Sequence, residues 1–275
     1  MAANPITHER RRTRADVRLG KVPLHPTHAF RSYRKVLREY IDDLQKIADR
    51  KIIKALPDIL ARQDHARRDT DQKLLAATLR SVLRVWGESH SKEKISADVE
   101  SMLADVAKHS TREAKRVLSI DFVSSPGAKE IVQSALNENI RLITKMTDEA
   151  LFGSEDGTRL GVKQAIERGF RDGRLTADVA KDIERRFDVS RARAELIARD
   201  QIGTINADMT ADRFQSAGVV DFAWITASDN AVREEHAEIN GDVFSYADGG
   251  HPTEGLPGDP INCRCAQQPV IPDIE

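Results

Sequence analysis

From Phe30 onward the apolar positions recur at alternating spacings of three and four: Phe30, Tyr33, Leu37, Tyr40, Leu44 and Ile47. That spacing places them on one stripe of a helix. Pro57, which lacks an amide hydrogen, ends or kinks this first element. The same period returns at Leu74, Leu75, Leu79, Val82, Leu83 and Trp86, up to Gly87, and again at Ile95, Val99, Met102, Leu103 and Val106, continuing to Val117 and Leu118. Ser124-Ser125-Pro126-Gly127 is the clearest break, with Pro126 suited to the first turn of the next helix. Ile131, Leu136, Ile140, Leu142, Ile143 and Met146 follow, then a second break from Gly153 to Gly157. Val162, Ala165, Ile166 and Phe170 predict a short helix ending at Gly173. Thr176 is a suitable cap for a helix over 177–187. Val189-Ser190 then opens a separate long helix over 191–215, with Gly218 as its C-cap.

The period changes at Val219. Val220, Phe222 and Trp224 alternate with Asp221, Ala223 and Ile225, which predicts a strand with one strongly apolar face. Ser228 or Asp229 caps a short helix over 230–239, and Val243 to Tyr246 reads as a second strand. A glycine- and proline-rich loop over 247–260 leads to a last strand over 265–271, where Pro269 requires an edge position. Breakers are sparse between Arg31 and Leu151 and dense after Gln201, so the front is helical and the back is rich in turns. The expected fold is mainly α, with long N-terminal and central helices and a small α+β C-terminal module. The expected segments are a basic, disordered or loosely docked arm over 1–26, helical regions over 27–122 and 123–217, and the module over 218–275.

Composition adds one thing to this pattern. The chain has 275 residues, 40% of them hydrophobic and 32% charged, a globular profile. No run approaches a membrane span, and the polar, basic start lacks the apolar stretch of a secretory leader. Two cysteines cannot build a disulfide scaffold. The net charge of −1 conceals an asymmetry: residues 1–50 carry 12 basic and 6 acidic residues, residues 201–275 carry 3 and 13. Arg10, Arg11, Arg12, Arg14, Arg18 and Lys21 cluster in the arm. Clustered cations release counterions from phosphates, so these six are the candidate DNA contacts, without any groove-reading motif.

Cys263 and Cys265 bracket Arg264, with His236 and His251 the only histidines nearby. Two readings stand. The cysteines are small buried residues in a compact turn, or His236, His251, Cys263 and Cys265 share a zinc ion, provided the chain turns there. Asp229, Arg233 and His236 at i, i+4 and i+7 are expected on one helical face, with Asp229 pairing Arg233. That face would meet the turn Asn262-Cys263-Arg264-Cys265, giving a structural polar cluster of these seven residues. Arg233 and Arg264, basic residues in an acidic segment, are expected to have carboxylate partners, and Arg264 to be buried with its partner. His236-Ala237-Glu238, Pro260 and the cysteines also partly match the zinc deaminase pattern, but the cysteines are one residue apart instead of two. An enzyme built on His236, Glu238, Cys263 and Cys265 and acting on nucleic acid is the alternative class, with a toxin-like module a third.

At these residues the sequence resembles the phage Mu F-like head morphogenesis proteins, minor capsid proteins of tailed bacteriophages, over about 161–271. Ala194 to Gln201 with Asn206 resembles the family's helix. Phe222-Ala223-Trp224 resembles its strand, and Asp229, Val232-Arg233, His236 and Asn240-Gly241 the segment after it. Pro257-Gly258 and Asn262-Cys263-Arg264-Cys265 resemble its terminal signature. Many members carry cysteines where this chain has Arg233 and His236, and His-Pro where it has Asp259-Pro260. That departure removes candidate zinc ligands, so no cofactor is the leading expectation. The resemblance implies a non-enzymatic role in head morphogenesis, DNA packaging or ejection, in the virion head near the portal. The protein would be made in the cytoplasm of the bacterial host. It implies the portal and other head proteins as partners, with packaged DNA reached through the arm and no membrane partner.

Overall fold

The computed structural model describes residues 17–57, 68–172 and 174–271. It is 64% helical, with a small three-stranded antiparallel sheet near the C-terminus, so the chain is mainly α with a small α+β module. The helices are α1 (Thr27–Ala48), α2 (Arg68–Ser89), α3 (Lys92–Leu118), α4 (Ala128–Phe152), α5 (Val162–Arg171), α6 (Thr176–Ser216) and α7 (Glu234–Glu238). The strands are β1 (Asp221–Ile225), β2 (Val243–Ser245) and β3 (Ala266–Pro269). No helix among the described residues is long and apolar enough to cross a membrane.

The predicted stripes are the buried ones. On α1, Tyr33, Leu37, Tyr40, Leu44 and Ile47 are buried, and on α2 so are Leu75, Leu79, Val82 and Trp86, whereas Leu74 is exposed. Several boundaries differ from expectation. The first helix gives way to a π-helical turn at Asp49–Ile53, ahead of Pro57. Gly87 lies inside α2, where it costs helix stability without breaking the element. The two helices expected over 177–187 and 191–215 are one helix of 41 residues. No glycine or proline lies between them, and the Ser190 hydroxyl donates back to the Arg186 carbonyl at 3.0 Å instead of capping a new start. Gly173 and the side chain of Phe170 lie outside the described residues.

The chain groups into two compact units, each discontinuous in sequence: residues 1–27, 104–133 and 200–275 in one, 28–103 and 134–199 in the other. The consecutive segments 27–122, 123–217 and 218–275 are therefore not the compact units. Helices α3, α4 and α6 each contribute residues to both, because a long helix can supply its two ends to different cores. The second unit is a helical assembly. Tyr33 donates to Asn139 at 2.7 Å in its interior, and Trp86 stacks on His90 with ring centroids 4.7 Å apart while its indole donates to the Tyr40 carbonyl at 3.0 Å.

The first unit carries the sheet, in the order β2-β1-β3. Phe222 pairs with Phe244 on one side of β1 and with Pro269 on the other. Phe222, Ala223 and Trp224 are all buried, so β1 is apolar on both faces rather than one. Val220, expected on the apolar face, is 64% exposed and precedes the strand. A core of Val117, Phe214, Phe222, Trp224, Ile239, Tyr246, Cys263 and Cys265 joins the sheet to helical residues of the same unit. Gly218, at φ 84°, closes α6 as predicted, with the Val219 amide donating to the Phe214 carbonyl at 2.9 Å.

The arm differs from a disordered segment over its described part. Gly20 N–H donates to the Pro269 carbonyl and Ile271 N–H to the Arg18 carbonyl, with Leu19 bridging Val270. Arg116 donates to the Val22 carbonyl, and Leu24 N–H donates to the Glu113 carboxylate. Pro269 leaves the β3 edge short of a donor, and the arm's backbone supplies bonds there that a charge count does not register. Arg18 and Lys21 stay exposed on this docked segment. Arg10, Arg11, Arg12 and Arg14 lie outside the described residues.

Candidate functional site

The seven residues expected to cluster are placed around the turn from Ile261 to Cys265. Asn262 takes the left-handed conformation at φ 58°, which asparagine tolerates better than most residues. Its amide donates to the Asp200 carboxylate at 2.9 Å. That reversal is what lets Cys263 and Cys265, which would point apart in an extended strand, face one ring. His236 Nδ1 lies 3.7 Å from Cys263 Sγ and 3.4 Å from Cys265 Sγ. All three side chains are buried and their ligand atoms lie within 4.8 Å of one another. Both cysteines are free thiols.

The helical part of the expectation fails. The short helix is only Glu234–Glu238, with Arg233 extended at φ −67° and ψ 151° ahead of it. Asp229 instead accepts the Ala231 amide at 3.0 Å in a local turn, a competitor to helix that aspartate commonly supplies. Asp229 pairs with Arg264, not Arg233, through two contacts of 2.5 Å. The pair is not buried, since the two side chains are 35% and 45% exposed. Arg264 holds the Asp229 carboxyl below the usual range. Among the described residues no carboxylate pairs with Arg233; it donates to the Ile261 carbonyl. The third basic residue of the acidic segment, Arg213, is buried and donates to Ser110, Thr111 and the Met209 and Ala107 carbonyls.

Three participants were invisible to spacing arguments. Glu254 accepts from His236 Nε2 at 3.1 Å. Trp224 is fully buried, its indole N–H has no hydrogen-bond partner of the ordinary kind, and it lies against the Cys265 sulfur. His25 contacts the Arg264 carbonyl through Nε2 at 2.6 Å. Asp200 was within the helix that the family resemblance singled out, but nothing local marks it as a partner of position 262. His251 is not in the sulfur cluster: its Nδ1 accepts from the Thr253 and Glu254 amides at 3.3 and 3.2 Å. Glu238 is exposed on α7 while His236 is buried, so the helix turns the deaminase-like glutamate away from the histidine.

Electrostatics separate the two thiols. Cys265 donates to the Cys263 sulfur, and the Cys265 and Gly258 amides add to it, so the Cys263 pKa is pushed down to about 6. Cys265 is pushed up because it is the donor and would ionise second, beside an existing thiolate. The loop before them is held against α6. Gly258 sits at φ 113°, where a Cβ would lie 2.5 Å from that of Ala207. Thr204 donates to the Gly258 carbonyl at 3.2 Å, and Gln267 donates to the Ala207 and Pro257 carbonyls while accepting from the Tyr246 hydroxyl at 2.9 Å. A cavity of about 20 Å³ lies beside Cys265, lined by His25, Gly203, Asn206, Gly258 and Gln267. It has room for about one water.

The region is thus a small α+β module with a buried His-Cys-Cys group and a bidentate ion pair at its surface. Comparison with known proteins finds a family likeness over part of the chain. Residues 161–268 match the family described as Phage Mu protein F like protein, which bears out the resemblance over that segment. A Haemophilus influenzae protein described as uncharacterized is 35% identical over 158 residues, covering 58% of this chain and 33% of that relative. The chain thus spans about a third of the length of the curated relative it matches. No solved structure matches it.

Proposed function

We propose that this chain is a minor head protein of a bacteriophage, acting in head morphogenesis. The observation that supports this most is where the family match falls. Residues 161–268 take in α5, the whole of α6, β1, β2, all but the last residue of β3, and the turn that organises Asp200, Asp229, Arg233, His236 and Arg264. The matched segment thus includes the polar contacts that hold this turn.

The finer reading is that the protein acts at the portal vertex, in DNA packaging or ejection, and resides in the virion head after synthesis in the bacterial cytoplasm. Its partners are the portal and other head proteins. The packaged DNA is reached through Arg10, Arg11, Arg12, Arg14, Arg18 and Lys21. The acidic balance of residues 201–275, 13 acidic against 3 basic residues, turns the C-terminal module away from phosphate and favours the opposite end of the chain. The role needs no catalysis.

The test is quantitative mass spectrometry of purified heads from a phage carrying the gene, alongside a strain with the gene deleted. The expected result is a few copies per head and heads that are malformed, unfilled or non-infectious on deletion. Absence of the protein from heads and unchanged titre on deletion would overturn the reading.

A further inference from the structure

The buried sulfur cluster carries chemistry that the proposed assembly role does not use. We propose that His236 Nδ1, Cys263 Sγ and Cys265 Sγ hold one zinc ion, with solvent in the fourth position, and that the ion locks the C-terminal turn onto β1 and α7. Four observations support it. First, zinc–sulfur and zinc–nitrogen bonds of about 2.3 and 2.05 Å in a tetrahedron put nitrogen and sulfur about 3.6 Å apart. The observed separations are 3.7 and 3.4 Å. Second, Glu254 accepts from the other ring nitrogen. A carboxylate on Nε2 keeps the proton there and leaves the Nδ1 lone pair facing the sulfurs, the outer arrangement that metal-ligating histidines have.

Third, the sulfurs are surrounded by donors suited to thiolates. The Cys265 amide lies 3.4 Å from Cys263 Sγ. Fourth, the Trp224 indole N–H is fully buried without an oxygen or nitrogen acceptor. A buried orphan donor costs free energy unless an anionic acceptor is present, and a metal-bound thiolate of Cys265 is that acceptor. Two thiolates and an imidazole are a soft set that selects zinc over magnesium or calcium. On binding, the protons still held by the two sulfurs pass to solvent and the ion replaces them. Glu238, the base that a deaminase-like arrangement would need beside the ion, is exposed on α7.

The full-length chain tests this directly. Purified from zinc-supplemented culture and dialysed, it should retain one zinc per chain by elemental analysis. After chelation and reloading with cobalt(II), it should show a thiolate-to-cobalt charge-transfer band and intense visible bands of tetrahedral cobalt. Cys265→Ser and His236→Gln should lose stoichiometric metal. Glu254→Gln, at a partly exposed position, should keep the fold by circular dichroism and bind about 10–100-fold more weakly. Folded wild-type chain that retains no zinc and gives no thiolate band with cobalt would overturn the proposal, whatever the variants do. So would a native protein lacking free thiols because Cys263 and Cys265 have oxidised to a disulfide.

Discussion

Asp229 and Arg264, 35 residues apart, form a two-armed ion pair at 2.5 Å that ties the loop after β1 to the turn before β3. The sequence favoured Arg233 as the partner of Asp229, four residues along a helix. The chain does not make that helix, so the nearer arginine turns to a carbonyl and the distant one takes the carboxylate.

Because this pair is exposed, Arg264→Ala should lower the melting temperature modestly and leave the module folded, not unfold it as a buried pair would. The contribution has a definite pH dependence. Arg264 lowers the Asp229 pKa in the folded chain below the usual 3.8 of an aspartate, so the stabilisation is present above about pH 4 and is lost as pH falls through the folded-state value. Thermal melts of wild type and variant should differ at pH 7 and converge in acid or in high salt. A fully unfolded variant at pH 7 would contradict this.

Asp208 should behave in the opposite sense. Burial, with a smaller contribution from Asp259, pushes its pKa from 3.8 up to about 6. A raised carboxyl favours the folded state below the unfolded value and disfavours it as pH rises through 6. Asp208→Asn should therefore stabilise the chain at pH 7–8, by at most about 3 kcal/mol. The gain should disappear below pH 4. Denaturant midpoints measured at both pH values check it; a gain that persists in acid would point to another cause.

Gly258→Ala should destabilise the module by about 2 kcal/mol or more. The added methyl group meets Ala207 at 2.5 Å and the backbone is held at φ 113°, a conformation that carries strain for any other residue. Gly157→Ala is the comparison, since its φ of 70° is also positive but nothing lies within 4 Å of an added Cβ. Equal losses from both would show that only backbone strain matters.

Arg213→Lys should destabilise the chain by about 2–3 kcal/mol. The guanidinium reaches four oxygens on two helical segments of one unit, and a single ammonium cannot span them. Chemical denaturation with an unchanged denaturant slope would confirm a loss of stability rather than of compactness.

Much of the architecture was legible because helical burial is a local, periodic property. Tyr33, Leu37, Tyr40 and Leu44 announce their face by spacing alone, and Gly218 announces a helix end because only a residue tolerant of positive φ closes it this way. The error at Ser190 has the same origin: a serine is a good cap and a tolerable interior residue, and only the continuing pattern around it decides. At the site, the pairing of His236 with Cys263 and Cys265 was accessible from residue type. The exclusion of His251 and the recruitment of Glu254 and Trp224 were not, since no spacing links positions 224, 236, 254 and 265.

The sequence by itself determined the helical periods, the strand composition, the uneven charge and the family resemblance, because each is written in residues close along the chain. Tertiary structure alone decided that Asp229 chooses Arg264, that the described end of the arm docks on the β3 edge, and that two cysteines and a histidine converge. Those outcomes depend on how a left-handed turn at Asn262 and the burial of β1 bring distant residues within about 4 Å, the range over which hydrogen bonds, ion pairs and metal ligands act.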